Sequence, residues 1–389
     1  MKRVKVYSLL LVLLTALLIA SCQPQATPAP VVTARPTVTA PTEKPKPAWE
    51  VEWEQAVAEA KKEGTVLIYS TPSGDIIRGL AAAFEKKYGI KVEWVNGRGE
   101  ELTQRIQAEK SAGINAVDVI MSGGTTTQTV MKPRGLLGKL DVLLLLPEVT
   151  DPKAWSGDAI PYVDKDHTYI AMLATFQRYA MINTDLAKKE EITSYMDLLN
   201  PKWKGKMVIN DPTVTGTGNA FFNFLAVDVW DLERTKDFMR KFVAQEPAVT
   251  RDRRLQGEWV AKGKYAISVA TNMETAIEFI KLGSPVAFAD VVEGGKIGAG
   301  AGGLAVPVKA GHPNASKVFV NWILSTEGHG VFVSTYGSPG SRKDFPQAGI
   351  PPEMIAKPGE RAIGENEEET LHRAVMGNIA KEIFAPLLK

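Results

Sequence analysis

The stretch Thr65-Val66-Leu67-Ile68-Tyr69-Ser70-Thr71-Pro72-Ser73-Gly74-Asp75 runs a β-rich segment into a turn made of helix-capping residues. Val66 to Tyr69 suit a pleated, half-buried backbone, and Ser73 and Asp75 are good N-cap residues. Beyond the turn, Ile76, Ile77, Leu80 and Phe84 recur at helical spacing as far as Tyr88. Lys91 to Val95 then alternates as a strand, Glu100 to Ala112 repeats the helical pattern through Leu102 and Ile106, and Val117 to Met121 reads as a third strand. That βαβαβ order predicts an α/β protein with a parallel sheet and helices on its faces. Upstream, Trp53 to Glu63 reads as a helix with Trp53, Ala56, Val57 and Ala60 on one face, stopped by Gly64.

In such sheets ligands gather beyond the carboxyl ends of the strands, where loops meet helix N-termini. Three segments have that position: the turn carrying Thr71 and Ser73, the loop around Arg98, and Ser122-Gly123-Gly124-Thr125-Thr126-Thr127. Small hydroxyl and glycine residues let backbone N–H groups approach a ligand and offer a positive dipole end to an oxyanion. Arg98 adds a candidate bidentate clamp. The competing reading of each loop alone is a helix cap or turn.

The N-terminus has another purpose. Lys2, Arg3 and Lys5 precede Leu9 to Ile19, an apolar stretch shorter than the roughly 20 residues that span a bilayer. The layout is that of a secretory signal over residues 1–21, closed by Ile19-Ala20-Ser21-Cys22. Cys22 is the only cysteine, so disulfides within the chain and thiolate metal clusters are excluded. From Gln23 to about Pro47 the chain turns to Pro, Thr, Ala and Val, a composition that favours extended polyproline II. Residues 22–50 therefore read as a tether carrying a globular body. With 44% hydrophobic and 23% charged residues that body is ordinary, and losing the three cations of residues 1–21 changes the net charge from +2 to −1. Nothing in that balance recruits nucleic acid.

The Ile19-to-Cys22 run resembles a bacterial lipobox, which implies a lipidated Cys22 and an extracytoplasmic, membrane-tethered protein. The body resembles the bacterial extracellular solute-binding proteins of ABC transporters, within the group of ferric-iron, thiamine and related binders. The resemblance rests on Ala60 to Gly64 before Val66 to Ser70, on Ala83 to Val92, on Ala116 to Ile120, on Met181 to Leu186 with Asn200 to Lys206, and on Gly311 to Lys317 with Asn321 to Gly328. It implies a two-lobed fold with a two-stranded hinge: lobe one over 54–174 plus 286–389 and lobe two over 175–285, with Phe176 at the hinge. It further implies a small-molecule solute held between the lobes, an ABC permease as partner, a monomer, and no cofactor.

In lobe two, Met207 to Asn210 reads as a strand that opens through Thr213, Thr215 and Thr217 into a helix, a loop with the chemistry of those in lobe one. Ala266 to Ala270 is the next strand, followed by Thr271-Asn272-Met273-Glu274. The family's ferric binders place adjacent tyrosines there. Their absence argues against bare ferric iron, although Tyr69 and Tyr336 remain candidate phenolates and Tyr336 a candidate cleft residue. Thr, Ser, Asn, Gly and arginine instead suit a hydrogen-bonded anionic organic solute or an iron chelate. Arg178, Arg251, Arg253 and Arg254 are candidate sources of positive charge, each also readable as a solvated surface residue.

Enzyme signals are missing. His167, His312, His329 and His372 are scattered without a two-histidine helical pair, and no Gly-x-Ser-x-Gly occurs. Gly294 to Gly303 lacks the Gly-Lys-Ser/Thr ending of a P-loop and reads as tight turns. A surface adhesion or structural role would use the same tether, but no solenoid or propeller repeat is present.

Overall fold

A computed structural model describes residues 45–388; the signal, Cys22 and the tether as far as residue 44 lie outside the described residues. The first helix spans Ala48–Glu63, starting before the expected Trp53 and taking up the last residues assigned to the tether. Pro47 stands at its N-cap, Glu50 lies in its first turn, and good helix formers follow at once. Gly64 closes it in the left-handed conformation at φ 76°, which glycine adopts without strain.

The sheet of lobe one begins with β1 (Thr65–Ser70), β2 (Lys91–Asn96) and β3 (Val119–Ser122). All three are parallel, with Thr65 opposite Lys91 and Ile68 opposite Val119, linked by helices Gly74–Tyr88 and Gly99–Ser111. β4 (Ile170–Ala171) completes the sheet together with β12 (Gly303–Ala305), which returns antiparallel to β3, so the order is β2-β1-β3-β12-β4. Ile77, Leu80 and Phe84 seat the first crossover helix in a core that includes Phe319 and Trp322.

Lobe two is a sheet of β6 (Ala180–Asn183), β7 (Met207–Asn210), β8 (Ala248–Thr250), β9 (Ile267–Val269) and β10 (Val286–Phe288), in the order β10-β6-β9-β7-β8. Alternate residues serve opposite faces. Ile182, Ile209 and Val269 face a cluster rich in phenylalanine, while Met181, Val208 and Phe288 face a smaller one.

Two boundaries differ from the expected lobes. β10 pairs antiparallel with β6, so residues 286–288 belong to lobe two. The last helix, Glu367–Phe384, buries Met376, Ala380 and Phe384 in the aromatic cluster of lobe two, with Phe384 5.5 Å from Phe222 and 6.5 Å from Phe242. Those three positions, four residues apart, make one apolar stripe that this cluster covers.

The lobes are joined by three strands where two were expected. β5 (Thr175–Gln177) runs antiparallel to β11 (Gly295–Gly298), and β13 (Ala362–Gly364) runs parallel to β11 on its other side. The third crossing follows from the position of the last helix, because the chain must pass back to reach lobe two. No helix among the described residues is long and apolar enough to cross a membrane.

Candidate functional site

A cavity of about 470 Å³ lies where the two lobes meet the joining strands, within the range of small-ligand sites. Thr175, Gln177 and Gly298 of the joining strands form its floor. Lobe one contributes Leu173, Ala299 to Ala301, Tyr336 and Ser338; lobe two contributes Thr215 to Thr217, Arg253 and Asn272 to Glu274.

Local folding fixes several of these groups. Asn272 caps the helix Met273–Lys281, its Oδ1 accepting the Thr275 N–H at 3.0 Å and its Nδ2 donating to Glu274 at 2.6 Å. Thr217 opens the helix Thr217–Phe224, and its buried Oγ1 has no hydrogen-bond partner among the described residues. Such an oxygen suits a polar group arriving from the cleft. Arg253 forms no ion pair among the described residues, whereas Arg251 pairs with Asp211 at 2.8 Å and Arg254 with Glu278 at 2.6 Å. It is therefore an uncommitted cation on the wall.

The inner wall is charged. Lys296 is buried and pairs with Asp228 at 2.7 Å. Arg373 pairs with Glu369 at 3.1 Å. Burial depresses the Arg373 guanidinium pKa, but the Glu369 and Glu365 charges outweigh it and hold the guanidinium above its ordinary value. Burial raises the Glu365 carboxyl, opposed by Arg373. Tyr179 and Tyr336 line the same cavity, and burial pushes both phenols above their usual range, opposing phenolate formation. A side chamber of about 160 Å³ opens beyond Lys296, Gly298, Gly300 and Arg373, and is walled by Gly123 to Thr126, Glu365 and Glu369.

Over residues 79–362 the sequence matches the family described as bacterial extracellular solute-binding protein. The chain belongs to that family. A Synechocystis protein named iron uptake protein A1 is 27% identical over 143 residues, 36% of each chain. The structure of the Trichodesmium protein (IdiA, FutA) in complex with iron and citrate ligands superposes with a TM-score of 0.64 at 18% identity, covering 84% of this chain and 99% of that one. Actinobacillus pleuropneumoniae periplasmic binding protein AfuA, with exogenous fructose-6-phosphate bound, superposes with a TM-score of 0.61 at 20% identity, covering 83% and 99%. At these identities the superpositions establish the shared two-lobed α/β fold, and family membership makes this chain a solute binder rather than an enzyme.

In this solute-binding protein the structure gathers some of the residues expected from sequence and separates others. Thr215, Thr217, Asn272 and Tyr336 line the main cavity, and Gly123 and Thr125 line the side chamber. The rest lie off both. Thr71 directs its hydroxyl to the Met121 carbonyl at 3.5 Å, and Ser73 is exposed at the N-cap of Gly74–Tyr88. Arg98 is exposed at the start of Gly99–Ser111, where its backbone N–H donates to Glu101 at 3.1 Å. Ser122 is buried, its carbonyl accepting from Tyr169 at 2.9 Å. Phe176 is buried under the Arg178 guanidinium, 4.5 Å from its ring, and Arg178 itself is committed to Glu360. Thr213 donates to Asp211 at 2.6 Å and Thr271 to Ser268 at 2.6 Å, both within their own loops.

Sequence reasoning missed Gln177, Tyr179, Lys296, Glu365, Glu369 and Arg373. Two signals were at hand. The glycine-rich run 294–303 supplies Gly298 and Gly300 to both cavities rather than turns alone. The acidic run before the last helix does begin that helix, with Asn366 accepting the Glu369 N–H at 2.8 Å, yet it also turns Glu365 and Glu369 toward the side chamber.

Proposed function

We propose that this protein is the lipid-anchored capture component of an ABC importer, tethered through Cys22, monomeric, and delivering its solute to a membrane permease. The solute class that best suits the cleft is a small anionic organic compound or an iron chelate held by its organic shell. The carrying observation is the uncommitted Arg253, set in one wall with the hydroxyl, amide and backbone donors of Thr215, Thr217 and Asn272. A guanidinium with convergent neutral donors recognises an oxyanion, and water exclusion on closure strengthens each bond. The lobes then close over the solute, shifting toward the closed form by no more than the solute's preference for it.

A second reading, direct capture of ferric ion, draws support from Tyr179 and Tyr336 on the cleft wall and from the iron uptake relative. The raised phenol pKa values weigh against it, as does the lack among the described residues of three clustered His, Cys, Asp or Glu that could hold an ion. Thermal unfolding of the full chain with ferric citrate, uncomplexed ferric ion, phosphonates, sugar phosphates, thiamine derivatives and polyamines separates the readings. Stabilisation grows as RT ln(1 + [L]/Kd), so a saturating upward shift marks the cargo class. A shift with bare ferric ion alone reverses the preference; no shift with any compound favours a structural surface role.

A further inference from the structure

We propose that the side chamber is a second subsite of the cleft, which takes a hydroxyl-bearing part of the solute and reads it through Glu365 and Glu369. This rests on the reading of the main cavity as an anionic-solute site and narrows its cargo to a hydroxylated carbon skeleton that also carries anionic groups.

The chamber of about 160 Å³ far exceeds the roughly 15 Å³ that admits a single water. It shares Lys296 and Arg373 with the main cavity, so a solute seated in one reaches the other. Its key group is Glu369, only 1% exposed. Glu369 Oε1 accepts from Asn223 at 3.0 Å and from Arg373 Nε at 3.1 Å, but among the described residues Oε2 has no hydrogen-bond partner, and Lys296 Nζ stands 3.8 Å from it. A buried carboxylate oxygen left without a donor is costly, and a ligand donor removes that cost. Glu365 faces the same space and accepts, among the described residues, from the Ala299 N–H at 3.3 Å.

Charge selects the ligand group. A phosphate or carboxylate in the chamber meets two acidic side chains, and an ammonium meets Lys296 and Arg373. A hydroxyl suits both, because it donates one proton to a carboxylate and accepts from a guanidinium or ammonium. The anionic groups then lie in the main cavity with Arg253, Thr215 and Asn272.

The test titrates the full-length chain calorimetrically with two matched pairs, glycerol 3-phosphate against propyl phosphate and citrate against tricarballylate. Each pair differs in its hydroxyls. At least one hydroxylated member is expected to bind about tenfold tighter than its partner. In Glu365→Leu that preference, read as the ratio of the two affinities within a pair, falls below about threefold. Gly124→Ala provides a second variant, since an added methyl collides with the Glu365 carboxyl and displaces it, and the same loss is expected. Thermal unfolding without ligand identifies which variant is folded and therefore counts. Equal affinities within both pairs for the unmodified chain overturn the subsite and leave the anionic-solute cleft standing, as does a preference that survives in a folded variant. Failure of all four probes to bind overturns both.

Discussion

At the scale of single residues, neighbours decide what a side chain is free to do. Arg253 and Arg98 look alike in sequence and both are exposed, yet Arg253 lines the main cavity and Arg98 lies outside both cavities. Arg253→Ala is therefore expected to weaken anionic-solute binding by about tenfold, the scale of one charge-assisted hydrogen bond, and Arg98→Ala to leave it unchanged. Calorimetry on the two variants checks this; equal losses would return the anion site to the strand loops of lobe one. His329 offers a pH readout. It is buried with its ring 5.8 Å from Trp155, and burial first, then the Arg342 charge, pull it down to about 3. An unfolded imidazole titrates near 6.5. Between those values the unfolded chain binds a proton that the folded chain refuses, so stability present above about pH 6.5 is lost as pH falls toward 3. The slope from this group approaches about 1.4 kcal/mol per pH unit. Urea midpoints at pH 7.0, 5.5 and 4.5 should fall less steeply in His329→Phe, and parallel curves would show that His329 is not kept neutral. Thr71, Thr213 and Thr271 teach the same lesson about legibility. Their chemistry was visible in sequence, but the internal carbonyl, carboxylate and hydroxyl that occupy them were not.

At the scale of elements, local pattern located strands and helices well and assigned them to lobes less well. The βαβαβ unit was legible because helical and strand periods alternate cleanly and parallel crossovers leave few arrangements. The last helix was legible as a helix, but its stripe of Met376, Ala380 and Phe384 does not name its partner. That partner is the ring cluster of Phe222, Phe238 and Phe242, more than a hundred residues earlier in the chain. The same long-range placement hid the third joining strand and the chamber carboxylates. Phe384→Ala removes a fully buried ring and should cost about 3–5 kcal/mol. Asn366→Ala removes the N-cap acceptor of the Glu369 N–H and should cost about 1 kcal/mol. Denaturant midpoints measure both; a Phe384→Ala loss under about 1 kcal/mol would mean that the helix end is loosely held.

At the scale of the whole molecule, the last helix ties the lobes together at a point that also touches the side chamber. Its first turn reaches lobe one through Glu367, which pairs with Lys132 at 2.6 Å, while Lys132 also pairs with Asp164 at 2.8 Å. Its far end is set in the lobe-two core. Because β5, β11 and β13 form one hydrogen-bonded sheet, the three crossings should move together, and lobe motion should concentrate where that sheet meets each lobe. On the proposed function, a solute held by Arg253 on one lobe and by Tyr336 and the glycine loop on the other would gain contacts as the lobes approach, since those residues line opposite walls. Small-angle scattering at saturating solute should therefore give a smaller radius of gyration than the free chain, and Arg253→Ala should need more solute to reach the same compact form. Replacing Lys132 with methionine frees the first turn of the last helix from lobe one, and is expected to change the free-state radius without altering the solute-bound one. Identical radii with and without a solute that binds by calorimetry would mean that capture occurs in a preformed cleft and that closure is no part of it.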